Sequence, residues 1–109
     1  MLPVIIQAKS LKVTRALREF TERQARKLQK IKDLRVNKVM VYLEQATKKS
    51  SDQKKVAIKY KIEVPGKDLW IKTLGYDFYD AIVDATNSAV RKMRKTKERY
   101  LDKERGKKK

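Results

Sequence analysis

Apolar and polar positions alternate most cleanly in the middle of the chain. Val56, Ile58, Tyr60, Ile62 and Val64 are separated by Ala57, Lys59, Lys61 and Glu63, the two-residue period of a strand buried on one face. Pro65-Gly66 follows as a turn signal. Residues 69–74 then resume an extended pattern, so the pair reads as an antiparallel hairpin closed by Gly75 and Tyr76. Upstream, Val39, Val41 and Leu43 alternate with Lys38, Met40 and Tyr42, which predicts another half-buried strand. The stretch between, residues 44–55, has no periodicity and reads as a mobile polar loop. Residues 2–8 are short and β-branched, with Pro3 where a strand start tolerates it, and predict a first strand.

Two segments switch to helical spacing. After Thr14, a good N-cap, Leu17, Phe20, Thr21, Gln24, Leu28 and Ile31 fall on one stripe. That helix is expected to end near Lys32 or Asp33. Its other face carries Arg15, Arg23, Arg26 and Lys30, diluted by Glu19 and Glu22. Asp77 opens the second helix as N-cap, with Asp80 three residues on as in a capping box. Its stripe is Phe78, Tyr79, Ile82, Val83, Thr86, Ala89, Val90, Met93 and Tyr100. Acids lie early in this helix and cations late, as the helix dipole favours.

The order is therefore β-α-β-β-β-α, an α+β fold. Each helix needs an apolar partner, and an antiparallel four-stranded sheet with both helices packed on one face supplies it. In 109 residues there is room for one domain, expected over residues 1–103, with a basic disordered tail at 104–109. Apolar residues are 40% and charged residues 39% of the chain, so one core can coexist with a heavily solvated surface.

Charge changes the picture most. Lys and Arg number 30 and Asp and Glu 13, a net charge of +17, well beyond the ~2–8 usual for a small soluble domain. Such an excess repels itself unless an anionic partner neutralises it. Residues 91–109 alone hold 11 basic and 3 acidic residues. Arg91, Lys95 and Arg99 form a ridge of four-residue steps, on the side away from Val90 and Met93. Side by side, the two helices would merge their ridges into one positive surface suited to phosphate backbones.

Several classes are excluded or weakened. The chain lacks Cys and His, which removes disulfides, thiolate zinc sites, cysteine nucleophiles and the usual neutral-pH acid/base group. No cofactor, metal or small-molecule substrate is expected, and an enzyme is the weakest class. No apolar run approaches the ~20 residues of a membrane span, the N-terminal apolar run is too short for a signal peptide, and both helical stripes are committed to the sheet. A cytoplasmic binding protein with no membrane partner is the expectation. Asp77, Asp80 and Asp84 are explained by a helix N-terminus rather than by a metal. Trp70, the one tryptophan, shares the sheet face away from the helices with Lys72 and Leu74. It reads either as a base-stacking platform or as ordinary cross-strand packing.

Several short motifs, in order, resemble the ribosome hibernation promoting factors and ribosome-associated inhibitors. They are Val13-Thr14-x-Ala16-Leu17-Arg18, Lys27-Leu28-x-Lys30, the Val64-Pro65-Gly66 hairpin, Asp77-Phe78-Tyr79-Asp80-Ala81-Ile82 and Arg91-x-Met93-x-Lys95. The resemblance implies a fold like that of double-stranded RNA-binding domains. It implies binding in the small-subunit channel between head and body, over the messenger and the A- and P-site transfer RNA positions, which inhibits translation under stress. By position Arg18, Lys27, Lys30, Arg91 and Lys95 would touch rRNA. The charge pattern adds Arg23, Arg26, Lys92, Arg94 and Arg99. Ser88 stands where members often place Lys. The chain resembles a short, single-domain form, expected to act as a monomer on the ribosome, and its basic tail departs from the acidic tail of some inhibitors. A general duplex-RNA binder and a constitutive structural ribosomal protein are the alternatives.

Overall fold

A computed structural model describes residues 2–31, 34–45 and 56–107, with side chains as far as Arg99. The elements are β1 (Val4–Lys9), α1 (Arg15–Arg26), a 3-10 turn (Lys27–Lys30), β2 (Lys38–Gln45), β3 (Val56–Val64), β4 (Lys67–Gly75) and α2 (Phe78–Lys107). The expected β-α-β-β-β-α order and α+β class hold. Of the expected polar loop, residues 46–55 lie outside the described residues, while Glu44 and Gln45 complete β2.

The strands lie in the order β1-β2-β3-β4. β2 pairs antiparallel with β3, and β3 with β4, the hairpin turning at Pro65-Gly66. Gly66 takes φ +85°, in the left-handed region that favours glycine. β1 pairs parallel with β2, Val4 opposite Val39 and Ile6 opposite Val41. The sheet is therefore mixed, a correction to the all-antiparallel expectation. Its physical reason is the connection: α1 crosses over between β1 and β2 and returns the chain in the same direction, as parallel pairing requires.

Alternation along β2 and β3 sends Val39, Val41, Leu43, Val56, Ile58, Tyr60, Ile62 and Val64 under the helices, all buried. On β4 the inward set is Leu69, Ile71 and Thr73, paired with Ile62, Tyr60 and Ile58. Gly75 ends that row. A Cβ there would stand 3.0 Å from the Ala81 Cβ, so α2 starts in close approach to the strand. Facing this sheet, α2 buries Ala81, Ile82, Ala85, Thr86, Ala89, Met93 and Thr96. Three small residues of that row, Ala81, Ala85 and Thr96, were absent from the expected stripe, since periodicity is read from large apolar side chains. Tyr79, expected inside, is 41% exposed and meets Phe20 of α1 edge-on at 4.9 Å, joining the two helices.

Local chemistry explains the helix limits. Thr14 accepts a hydrogen bond from the Leu17 amide at 3.1 Å, the N-cap expected of it. Asp77 accepts from the Tyr79 and Asp80 amides, which accounts for an acid at that position. α1 stops at Arg26, earlier than expected, and tightens into the 3-10 turn that drives Leu28 fully into the core. Such tightening is a common way to satisfy the last helical carbonyls. Ile31 is already extended, and Lys32 and Asp33 lie outside the described residues. α2 runs through residues 104–107, which were expected as tail. Good helix formers such as Leu, Lys, Glu and Arg occupy that end, and residues 108–109 lie outside the described residues.

Between β3 and α2 lies a buried polar link. The Tyr60 hydroxyl and Thr86 Oγ1 are 2.7 Å apart, and Thr86 also donates to the Ile82 carbonyl at 2.8 Å. Burial pushes the Tyr60 phenol up to about 12, the hydrogen bond to Thr86 opposing part of that shift.

Candidate nucleic-acid interface

The cations of α2 project because its other face is held on the sheet. Met93 and Thr96 are buried, so positions 91, 95 and 99 turn outward along one side. There Arg91, Lys92, Lys95 and Arg99 line a cleft of about 340 Å³, together with Ser88 and Thr96 of α2 and Lys67 and Leu69 of β4. Among the described residues, five cations and no carboxylate line it. The Thr96 hydroxyl donates to the Lys92 carbonyl at 2.9 Å, satisfied within its own helix.

Each cation sits in its own environment. Lys95 and Arg99 are exposed and make no ion pair or side-chain hydrogen bond among the described residues. Arg91 donates to Ser88 Oγ at 3.1 Å, so this serine orients a neighbouring guanidinium. Lys92 donates to the Trp70 carbonyl at 3.0 Å, tethering α2 to the free edge of β4. That role was not expected of it.

The first helix contributes unevenly. Arg18 is exposed on α1, and Lys27 and Lys30 are exposed on the 3-10 turn, none with an ion pair among the described residues. Arg23 lies over the Phe20 ring, 5.9 Å from its centroid. Arg26 is half-buried against Glu22 at 3.3 Å, with its Nε buried and unpartnered among the described residues. Arg94 is exposed on α2 but lines no part of the cleft.

The expected single ridge is therefore sorted into groups. Arg91, Lys92, Lys95 and Arg99 come together, and the cations of α1 and the 3-10 turn line no part of that cleft. Lys67 was missed as a candidate. Counting back by two from Leu69 would have placed it on the helix side of β4, beside the hairpin.

This arrangement is suited to holding an anion. Guanidinium groups offer forked donors to phosphate and ammonium groups compact charge, and a cleft of one sign concentrates the field on an incoming anion.

The profile of the family described as sigma 54 modulation protein / S30EA ribosomal protein matches residues 4–101. No curated protein sequence matches the chain. Among solved structures, a ribosomal subunit interface protein from Coxiella burnetii is similar in fold, with a TM-score of 0.74 and 16% identity, over 89% of this chain and 99% of that one. The N-terminal domain of Protein Y from Thermus thermophilus is similar with a TM-score of 0.72 and 21% identity, over 88% of this chain and 99% of that one. With the profile spanning nearly the whole described fold, the chain belongs to the sigma 54 modulation protein / S30EA ribosomal protein family.

Proposed function

We propose that this protein is a ribosome hibernation factor. It binds the rRNA of the small subunit as a monomer in the cytoplasm, occupies the channel used by messenger and by A- and P-site transfer RNA, and inhibits translation under stress. The observation that carries this reading is the cleft of five cations between α2 and the β3–β4 hairpin, free of carboxylates among the described residues. Membership of a family described in part as a ribosomal protein, and likeness in fold to a protein titled a ribosomal subunit interface protein, support the ribosome as the source of the phosphates.

On this reading Lys95 and Arg99, with Arg91 held by Ser88, take phosphate in the cleft. Arg18, Lys27, Lys30 and Arg94 add contacts from the remaining helical surface, and Lys67 joins them from the hairpin. Arg23, Arg26 and Lys92 act chiefly by packing and tethering. Phosphate contacts fix the placement and the shape of the domain fills the channel, with little base reading required. Inhibition is steric exclusion and needs no catalytic group, cofactor or metal.

The salt dependence of binding tests this reading. Each phosphate contact adds roughly −0.7 to −0.9 to the slope of log affinity against log salt. Co-sedimentation with purified small subunits over a range of monovalent salt is expected to give a slope of about −3 or steeper, one step for each of Lys67, Arg91, Lys95 and Arg99. A flat response would mean that the cations serve solvation only.

A further inference from the structure

No described residue covers the face of the sheet turned away from the helices, and it is chemically distinctive. Trp70 is 46% exposed there, paired across the strands with Lys61. The Lys59 and Lys61 ammonium groups lie 5.3 and 5.6 Å from its ring centroid. Beside the ring is a dip of about 480 Å³, bordered by Tyr42, Glu44, Lys59, Trp70 and Lys72, where Ala57 leaves space. That volume falls in the ~300–1,000 Å³ range of small-ligand sites.

The charges of this face are not balanced. Among the described residues its acids are each engaged: Glu44 with Lys9, Glu63 with Lys38, and Asp68 with Lys61. Lys59 and Lys72 face each other across β3 and β4 with no ion pair among the described residues. Two cations without acids therefore flank an exposed indole. A second copy of the chain would bring the same lysines against their own kind. An anionic ligand with a flat aromatic group meets both features at once, the ring by stacking and the lysines by phosphate.

We infer that this open face is a second nucleic-acid site, which binds single-stranded RNA by stacking a base on Trp70 and holding the flanking phosphates on Lys59 and Lys72. A base entering the stack takes the place of a lysine ammonium at the ring, and that lysine moves outward onto phosphate. Base–aromatic stacking of this kind contributes to single-strand affinity with little sequence preference, and exposed aromatics on four-stranded sheets are a recurrent means of it. The site lies on the opposite side of the sheet from the helical cleft and does not rest on that cleft's assignment.

Trp70 is the only tryptophan, so its fluorescence reports this site alone. Titrating the full chain with a short oligouridylate is expected to quench that fluorescence saturably. The same quenching is expected in the Arg91→Glu, Lys95→Glu variant, whose helical cleft is disabled. Lys59→Glu with Lys72→Glu is expected to weaken it at least tenfold. Trp70→Ala in the Arg91→Glu, Lys95→Glu background, read by the anisotropy of a labelled oligouridylate, gives the same loss if the double reversal of Lys59 and Lys72 disturbs folding. Binding without a fluorescence change, or no binding at all, would overturn the inference. So would quenching that vanishes with the helical variant, or equal quenching by oligoglutamate. A fluorescence change on concentrating the protein without RNA would assign the face to self-association instead.

Discussion

Reversing Arg91 and Lys95 to glutamate is expected to lower affinity for the small ribosomal subunit by at least about a hundredfold. Charge-assisted hydrogen bonds contribute about 1.5–3 kcal/mol each, so losing two removes about 3 kcal/mol or more, and each factor of ten in affinity corresponds to about 1.4 kcal/mol. Repulsion by the new carboxylates adds to that loss. The folded state is expected to be nearly indifferent. Both side chains are exposed, the one hydrogen bond broken is the exposed contact of Arg91 with Ser88, and surface changes of this kind stay within about ±0.5 kcal/mol. With a net charge of +17, relief of self-repulsion can even raise the melting temperature slightly. Lys48→Glu with Lys49→Glu changes the net charge equally and serves as the control. Equal weakening by both pairs would mean that the partner reads total charge and not the cleft.

Truncating Tyr60 to alanine is expected to cost about 3–5 kcal/mol, the range for deleting a large buried aromatic. Tyr60 is the largest fully buried side chain among the described residues, and total stability of a domain is only about 5–15 kcal/mol. The polar link orders the milder variants. Thr86→Val leaves the Tyr60 hydroxyl buried without its partner, at about 1–3 kcal/mol. Tyr60→Phe costs about 1 kcal/mol or less, because Thr86 still donates to the Ile82 carbonyl. The phenol, with its folded pKa raised to about 12 against the usual 10, also makes stability depend on alkaline pH. Its contribution is complete below pH 10 and declines as pH rises toward 12, because the unfolded chain loses the proton first. Tyr60→Phe removes this decline. Urea unfolding of the four proteins at neutral and alkaline pH checks both the order and the slope.

Much of the fold was legible because each strand is buried on one face only. The alternation from Val56 to Val64 marks inside and outside residue by residue, and the burial follows it without a slip. The same parity placed Trp70, Lys72 and Leu74 on the outer face, where Trp70 and Leu74 are exposed. The direction of β1 was not readable from its pattern, since parallel and antiparallel strands alternate alike; only the helical crossover decides it. The early end of α1 was hidden because Leu28 continues the apolar stripe through the 3-10 turn. Among the candidate cations, spacing identified Arg91, Lys95 and Arg99 as neighbours, since four-residue steps stay on one side of a helix. It did not show which side of α2 faces β4, so Lys67 was missed and the α1 cations were grouped with a cleft they do not line. The tether from Lys92 to Trp70 spans two elements, a relation that no local pattern carries.

Competition with transfer RNA on the small subunit tests the central proposal most directly. Purified small subunits carrying messenger and labelled initiator transfer RNA are mixed with increasing amounts of this protein, and the retained label is measured. If the protein occupies the channel, the label is released as the protein binds, and release is lost with Arg91→Glu, Lys95→Glu. If the subunit is saturated with protein while the transfer RNA stays bound, the account of inhibition by occupancy is contradicted.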